Sequence, residues 1–439
     1  MIVKMLYYST KGIAPPVTLR EAVLRGPAPD GGLYMPERLP HFDSAFIRAL
    51  SGKNLKEISF EIASAFFARD ISRDVLEGIV GQAIDFPIPL VEVQPGVYSL
   101  ELYHGPTMAF KDMGARFMSR LMSFLYRNMD KPLNVIVATS GDTGSAVASG
   151  FHEVEGINVI VLFPKGRVSR LQRLQITTLG RNIHPLEVEG SFDDCQGLAR
   201  NILADKELNS QLTLTSANSI NIGRLVPQCF YYFYAAARLW DKPGGPVFSV
   251  PSGNFGNLTA GVMAMLAGLP VRKFIAAVNI NDVFPKFLAT GQYKPAASVP
   301  TYSSAMDVGD PSNFARLNML MGGLPANFRE SIMSWSFTDG QTADAVRRVA
   351  NDTGYVMDPH GAVAWLGLEK YAGLTGYTGP RIFLETAHPA KFPETMKVIL
   401  GKYEYVPPQF MMLDEAEEKF TQVPYDAGAV KDYLLGISS

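Results

Sequence analysis

The sequence predicts an α/β fold built on largely parallel sheet. Apolar runs of strand length alternate with helix-length amphipathic segments, a βαβα rhythm. Several of the strand-like runs are apolar throughout rather than alternating, as expected of strands buried on both faces of a parallel sheet. In open sheets of this kind ligands gather beyond the C-terminal ends of the strands, where loops lead into helices. Those loops are where chemistry is sought.

The elements follow in chain order. Residues 1–95 differ from the rest and read as an N-terminal, mostly helical domain ending near the Pro-rich stretch 86–89. Thr18 and Glu21 form a possible capping box opening a helix, residues 26–32 (GPAPDGG) are a turn-rich loop, and 56–69 and 75–84 look helical. Strands are predicted at 97–103, 133–138, 158–163, 246–250, 274–280 and 381–385. Helices are predicted at 114–128, 143–152, 222–240, 258–266 and 343–351. This divides the chain into an α/β domain at 96–240, a second at 241–405 and a helical tail at 406–439.

Composition limits what the chain can do. With 47% hydrophobic and 19% charged residues over 439 positions it is an ordinary globular chain, long enough for two or three domains. The formal charge of −2, with no Lys/Arg run, argues against a nucleic-acid partner. No apolar stretch is long enough to span a bilayer, and the first residues, MIVKMLYYSTKG, lack a signal-peptide pattern, so cytoplasm is the expected compartment. The two cysteines, Cys195 and Cys229, lack metal-ligand spacing and read as buried small hydrophobes, so no metal is expected.

Five loops could carry chemistry. Residues 103–114 (YHGPTMAFKDMG) follow a strand and precede a helix; Lys111, beside Phe110, falls near the helix start. A lysine held there among apolar neighbours tends towards the neutral amine that imine formation needs. A lone lysine in a first helical turn is ordinarily just solvated; this one has company. Residues 138–145 (ATSGDTGS) end a strand with small hydroxyl and glycine residues, so the helix-start N–H groups with Ser140 and Thr143 suit a carboxylate or phosphate, or are simply a capped turn. Residues 250–257 (VPSGNFGN) are neither a Walker loop nor a dinucleotide fingerprint. A nest of this kind cradles one phosphate monoester through backbone N–H groups. One phosphate, one lysine and a carboxylate loop together point to pyridoxal phosphate rather than a nucleotide. Residues 385–392 (ETAHPAKF) offer Thr386 and His388, the latter reading more readily as a structural histidine bonding the backbone. Residues 215–224 (TSANSINIGR) place two Asn, two Ser and Arg224 before an apolar helix; Arg224 either clamps an anion or is solvated.

These stretches, in this order, resemble the threonine synthases of the longer bacterial and fungal type. LELYHGPTMAFKD, ATSGDTG, SANSINIGR, VPSGNFGN and ETAHPAKF carry the resemblance, with DGGLYMPE at 30–37 and AMDVGDPSN at 305–313. It runs from about Tyr7 to about Tyr403. The resemblance implies the tryptophan-synthase-β-like fold of pyridoxal-phosphate enzymes (fold type II), two open α/β domains with the cofactor between them. It implies a carbon–oxygen lyase that converts O-phospho-L-homoserine and water to L-threonine and phosphate, the last step of threonine biosynthesis. Lys111 would be the imine-forming lysine, flanked by Phe110. Gly253, Asn254, Phe255, Gly256 and Asn257 would hold the cofactor phosphate; many relatives have Asp where this chain has Asn257. Thr386 would bond the pyridine nitrogen. Ser140, Asp142 and Thr143 would hold the substrate, with Ser216, Asn218, Asn221 and Arg224 at its phosphate end. The expected assembly is a monomer or homodimer. The rival readings are a pyridoxal-phosphate-dependent serine or threonine dehydratase and a non-catalytic relative of the same fold.

Overall fold

A computed structural model describes residues 4–437. The N-terminal part opens with strands β1 (Leu6–Ser9), β2 (Val17–Thr18) and β3 (Tyr34–Pro36), which form a small antiparallel sheet ordered β2-β1-β3. The sequence reading missed this sheet, because runs of two to four residues show no usable periodicity. The helices Leu19–Arg25, Leu55–Phe67 and Arg73–Ala83 fill the rest of this part, with a short one at Ser44–Ala49. The capping box is present: the Thr18 hydroxyl accepts from Glu21 N and the Glu21 carboxylate accepts from Thr18 N (3.1 Å).

The remaining strands are β4 (Leu90–Gln94), β5 (Val97–Glu101), β6 (Leu133–Ala138), β7 (Ile157–Pro164), β8 (Ile183–Val188), β9 (Thr213–Ser216), β10 (Val247–Pro251), β11 (Lys273–Val278), β12 (Ile332–Ser336), β13 (Arg381–Glu385) and β14 (Thr421–Val423). They make two sheets, ordered β12-β11-β10-β13-β5-β4 and β14-β8-β7-β6-β9. Only the β4–β5 pair is antiparallel. Every residue of β5, β6 and β10 is buried, the polar Ser99, Glu101, Asn134 and Ser249 included, and the rest of each strand is apolar as strands covered on both faces require.

Sheet membership does not follow chain order. β4 and β5 precede all of β6–β9, yet β5 pairs with β13 in register Val97↔Arg381 to Glu101↔Glu385. β14, in the C-terminal tail, pairs with β8, and the helix Ala427–Ile437 buries Val430 and Leu434 on the same sheet's core with Leu186, Val188 and Leu198. Parallel strands need long crossovers, so neighbours in a sheet need not be neighbours in sequence. The single helix expected over 222–240 is three pieces, Ile222–Leu225, a 3-10 turn Val226–Gln228 and Cys229–Arg238. Pro227 lacks the N–H that a continuous α-helix would use there.

Packing fixes the helix Lys111–Tyr126. Its Phe117 stacks on Phe67 of the N-terminal part (centroids 5.7 Å apart) and meets Phe230 edge-on (5.6 Å). Gly114 lies where an added Cβ would be 2.9 Å from the Arg224 carbonyl oxygen, so this helix and Arg224 are in backbone contact. Cys195 and Cys229 are both buried and free. No helix among the described residues is long and apolar enough to cross a membrane.

Candidate active site

All five candidate loops leave the C-terminal ends of parallel strands: β5, β6, β9, β10 and β13. The structure brings them together. Phe110 N donates to the Thr386 carbonyl (2.8 Å), and Ala109 bridges to Ala387, so the lysine loop is stitched to the loop after β13. Lys391 of the short 3-10 turn Pro389–Lys391 is fully buried and reaches across, donating to the Thr107 carbonyl and meeting Asp142 Oδ1, each at 2.7 Å. Asp142 opens the helix Asp142–Phe151 after β6. The lysine loop, the hydroxyl loop and the histidine loop therefore meet at one point.

Lys111 is the first residue of its helix and sits at that meeting point, its side chain only 16% exposed. Its ammonium nitrogen lies 3.9 Å from Asp142 Oδ2 and 5.7 Å from the centre of the Phe110 ring. Burial lowers the lysine to about 8; Asp142 opposes the shift, while Arg224 and Lys391 reinforce it. Burial alone would raise the Asp142 carboxyl, but Lys391, Lys111 and the Gln172 amide (2.9 Å) overcome it and hold it far below the usual carboxylate range. On the same helix Asp112 is buried and pushed up to about 6, although Thr107 donates to it through its N–H (2.9 Å) and hydroxyl (2.6 Å).

The loop after β6 is held from beneath. Thr139 Oγ1 accepts from Gly141 N (2.9 Å) and Gly144 N (2.8 Å), and Ser145 Oγ donates to the Gly141 carbonyl (3.0 Å). Ser140 stays exposed and Thr143 half-buried, both open to a ligand. Gly141 has φ +140°, and a Cβ there would strike the Gln172 side chain. Only glycine lets Gln172 lie close enough to hold Asp142.

The loop after β10 is a rigid cradle. Phe255 adopts a left-handed conformation (φ 60°) at the start of the helix Gly256–Leu266, and its ring packs on Phe284 (4.9 Å). A Cβ on Gly253 would come 2.8 Å from Met306 Cα and 2.9 Å from the Ala305 carbonyl oxygen, so the cradle wall is backbone. Asn254 Nδ2 donates to Ser219 Oγ (2.6 Å), its Oδ1 accepts from Ser312 N (2.6 Å), and its carbonyl accepts from Asn313 (3.0 Å). Asn257 Nδ2 donates to the Pro251 carbonyl (2.9 Å). An ionised aspartate has no proton for that bond, which gives the amide at 257 its own structural use.

In the loop after β9, Asn221 is spent on scaffolding. It donates to the Val23 and Ser216 carbonyls (2.8 and 3.2 Å) and accepts from Gly223 N (2.9 Å). The Ser216 hydroxyl accepts from Asn218 N (3.3 Å). Asn218 Oδ1 is buried without a partner among the described residues, an acceptor left for a ligand. Arg224 is buried and donates to the Ala217 carbonyl (2.7 Å); burial lowers it to about 10, with Asp112 opposing.

Thr386 is nearly buried between the lysine loop and β13. His388 Nδ1 accepts from Ala390 N (3.0 Å), and burial, with His104 adding to it, lowers the ring to about 4. This is the structural, backbone-bonding histidine that the sequence suggested.

Residues the sequence did not single out complete the site: Lys391, Gln172, Thr107, Asn313, Arg316 and the pair Asp358–His360. Arg316 is fully buried and donates to the Ser219 and Ile220 carbonyls and to Asn313 Oδ1. Ala305 N donates to His360 Nε2 (3.1 Å), which puts the ring proton on Nδ1, facing the Asp358 carboxylate. His360 thus props the segment that walls Gly253. Behind it, Glu385 Oε1 accepts from Asp358 N (2.6 Å); burial, then the Asp358 charge, raises Glu385 well above the carboxylate range. The one sequence signal among these was the Ser169-to-Gln172 spacing of a capping box. Lys391 and Asn313 lie inside quoted motifs, but a loop lysine and a loop asparagine ordinarily face solvent.

Comparison with known proteins agrees with this arrangement. Residues 86–382 match the family described as pyridoxal-phosphate dependent enzyme, 6–84 the threonine synthase N terminus and 362–434 the threonine synthase C-terminal region. A threonine synthase from Serratia marcescens is 39% identical over 434 residues, covering 99% of this chain and all of that protein. The crystal structure of a pyridoxal-phosphate-bound threonine synthase from Brucella melitensis superposes with a TM-score of 0.93 at 34% identity, covering 99% of both chains. A threonine deaminase from Solanum lycopersicum shares the fold at 18% identity and a TM-score of 0.58, covering 83% of this chain and 91% of that one. The dehydratase reading thus has likeness of fold behind it, and the synthase reading has likeness along the whole chain. The chain belongs to the threonine synthase family of pyridoxal-phosphate-dependent enzymes.

Proposed function

We propose that this enzyme converts O-phospho-L-homoserine and water to L-threonine and inorganic phosphate, with Lys111 as the amine that holds the cofactor and then moves protons on the substrate. The observation that carries the proposal is the buried Lys111 amine, lowered to about 8 where the loops after β5, β6 and β13 meet. The donor set fits pyridoxal phosphate. Gly253 to Asn257 offer a backbone cradle at a helix start for one phosphate monoester, and Thr386 a hydroxyl for a ring nitrogen. When bound, pyridoxal phosphate supplies an electron sink next to the substrate's Cα. A neutral hydroxyl at Thr386 leaves that sink gentler than an aspartate would.

The remaining work falls to this chain's own residues. Lys111 would hold the cofactor and, once free, would take the Cα proton and then a Cβ proton, while phosphate leaves Cγ with the C–O electron pair. Water adds its OH at Cβ, and one proton returns to Cγ and one to Cα, giving threonine and phosphate. On this reading Ser140 and Thr143, open to a ligand, would bind the substrate carboxylate, and the Arg224 guanidinium with the Asn218 amide N–H would take its phosphate end. Ser216 and Asn221 shape that end through the backbone. On the same reading the enzyme works in the cytoplasm as a monomer or homodimer, without nucleic acid or membrane, in keeping with its net charge of −2.

The test is to incubate the enzyme with O-phospho-L-homoserine and assay phosphate and threonine together. Equal release of both is expected; phosphate accompanied by a keto acid would overturn the product. The lowered lysine also predicts a pH dependence. Below about 8 the neutral fraction of Lys111 rises about tenfold per pH unit, and above it levels off. The rate at which cofactor-free enzyme captures pyridoxal phosphate should follow that curve between pH 6 and pH 9. A midpoint near that of an ordinary lysine would contradict it.

A further inference from the structure

Asp142 stands between two lysines, the largely covered Lys111 and the fully buried Lys391, that it does not treat alike. Its Oδ1 takes two short contacts, from Lys391 Nζ at 2.7 Å and Gln172 Nε2 at 2.9 Å. Its Oδ2 faces Lys111 Nζ at 3.9 Å, beyond hydrogen-bond range. Lys391 is fully buried, and its other contact is the neutral Thr107 carbonyl; Asp142 is the carboxylate in contact with it, with Asp112 close enough to share its field. Gln172 is itself fixed by the Ser169 capping box, which locks the carboxylate in this orientation. A buried carboxylate next to a single lysine would keep that lysine protonated. Here a second lysine occupies it.

Resting on the reading of Lys111 as the reacting amine, we propose that Lys391 is a positioning residue that engages the Asp142 carboxylate and so enlarges the fraction of Lys111 present as the neutral amine. Its contacts are Asp142 and the Thr107 carbonyl, so on this proposal Lys391 acts on Lys111 through Asp142. The charged groups facing Lys111 are Asp142 from the helix after β6, Arg224 from the helix after β9 and Lys391 from the turn after β13, with Asp112 beside it on its own helix. Removing Lys391 takes away one of the two cations opposing protonation and frees Asp142 to turn to Lys111.

The experiment begins by reducing the holoenzyme with borohydride and locating the modified lysine by peptide mass spectrometry. Modification of another lysine would sink the underlying reading rather than this inference. The full-length enzyme is then stripped of cofactor, and the pH dependence of reductive methylation at Lys111 is measured. In Lys391→Met the Lys111 midpoint should rise by about one pH unit or more, cutting the neutral fraction near pH 7 about tenfold. Adding Asp142→Asn to that variant should return the midpoint to near its starting value. Asp142→Asn alone, with Lys391 left charged, should lower it. A well-folded Lys391→Met protein with an unchanged midpoint would overturn the proposal. If Lys391→Met does not fold, Lys391→Gln takes its place with the same expected rise, and an unmoved Lys111 midpoint there overturns the proposal equally.

Discussion

Replacing Lys111 with alanine is expected to abolish threonine formation while leaving the fold intact. The loss should be at least about a thousandfold in turnover, because one residue supplies both the covalent attachment and the proton transfers. The fold should survive because this side chain gives up little on removal. Its contact with Asp142 is 3.9 Å long, and the carboxylate keeps Lys391 and Gln172. Loss of a buried cation lowered by desolvation is, if anything, relief. The helix it begins stays anchored through Phe117 on Phe67 and Phe230. The checks are coupled phosphate and threonine assays with circular dichroism on the same samples. Turnover near that of the unaltered enzyme would refute the role given to Lys111.

Gly361→Ala is expected to destabilise the protein strongly, although nothing in its backbone forbids alanine. It lies in the first turn of the helix Pro359–Thr375 with φ outside the left-handed region, and there alanine is the better helix former by about 1 kcal/mol. Against that gain, the added Cβ would land on the Glu385 carboxylate oxygen. Glu385 has nowhere to go: it is fully buried, its other oxygen holds Asp358 N at 2.6 Å, and its backbone is fixed in β13 between β10 and β5. Overpacking of this kind costs about 3 kcal/mol, so a net loss of about 2 kcal/mol is expected by urea denaturation. Retention of pyridoxal phosphate should fall too, because Asp358 and His360 prop the wall of the Gly253 cradle. In a Glu385→Ala background the same substitution should add little, since the oxygen it strikes is gone. An additive loss in the double variant would rule out this cause.

Much of this protein could be read from its sequence, and the reason is local. Strands β6 and β13 have the predicted bounds because strands covered on both faces are mostly apolar, even though β6 carries Asn134 and β13 begins at Arg381 and ends at Glu385. The loops after β5, β6, β9, β10 and β13 were legible because small, glycine-rich turns between a strand and a helix carry their chemistry in consecutive residues. Fold class, cofactor class and the reacting lysine all rest on such contiguous signals. Tertiary structure decided everything set by partners far apart in sequence. β5 pairs with β13 nearly three hundred residues away, so the sheets cut across chain order. Asn221 sits in a promising motif, yet Val23 and Ser216 take up its side chain. Lys391 looked like a loop lysine until folding buried it against Asp142 and Thr107. Periodicity reports which face of an element is buried. Whether a polar side chain there binds a ligand or the scaffold depends on desolvation and on hydrogen-bond partners that only the folded chain brings within reach.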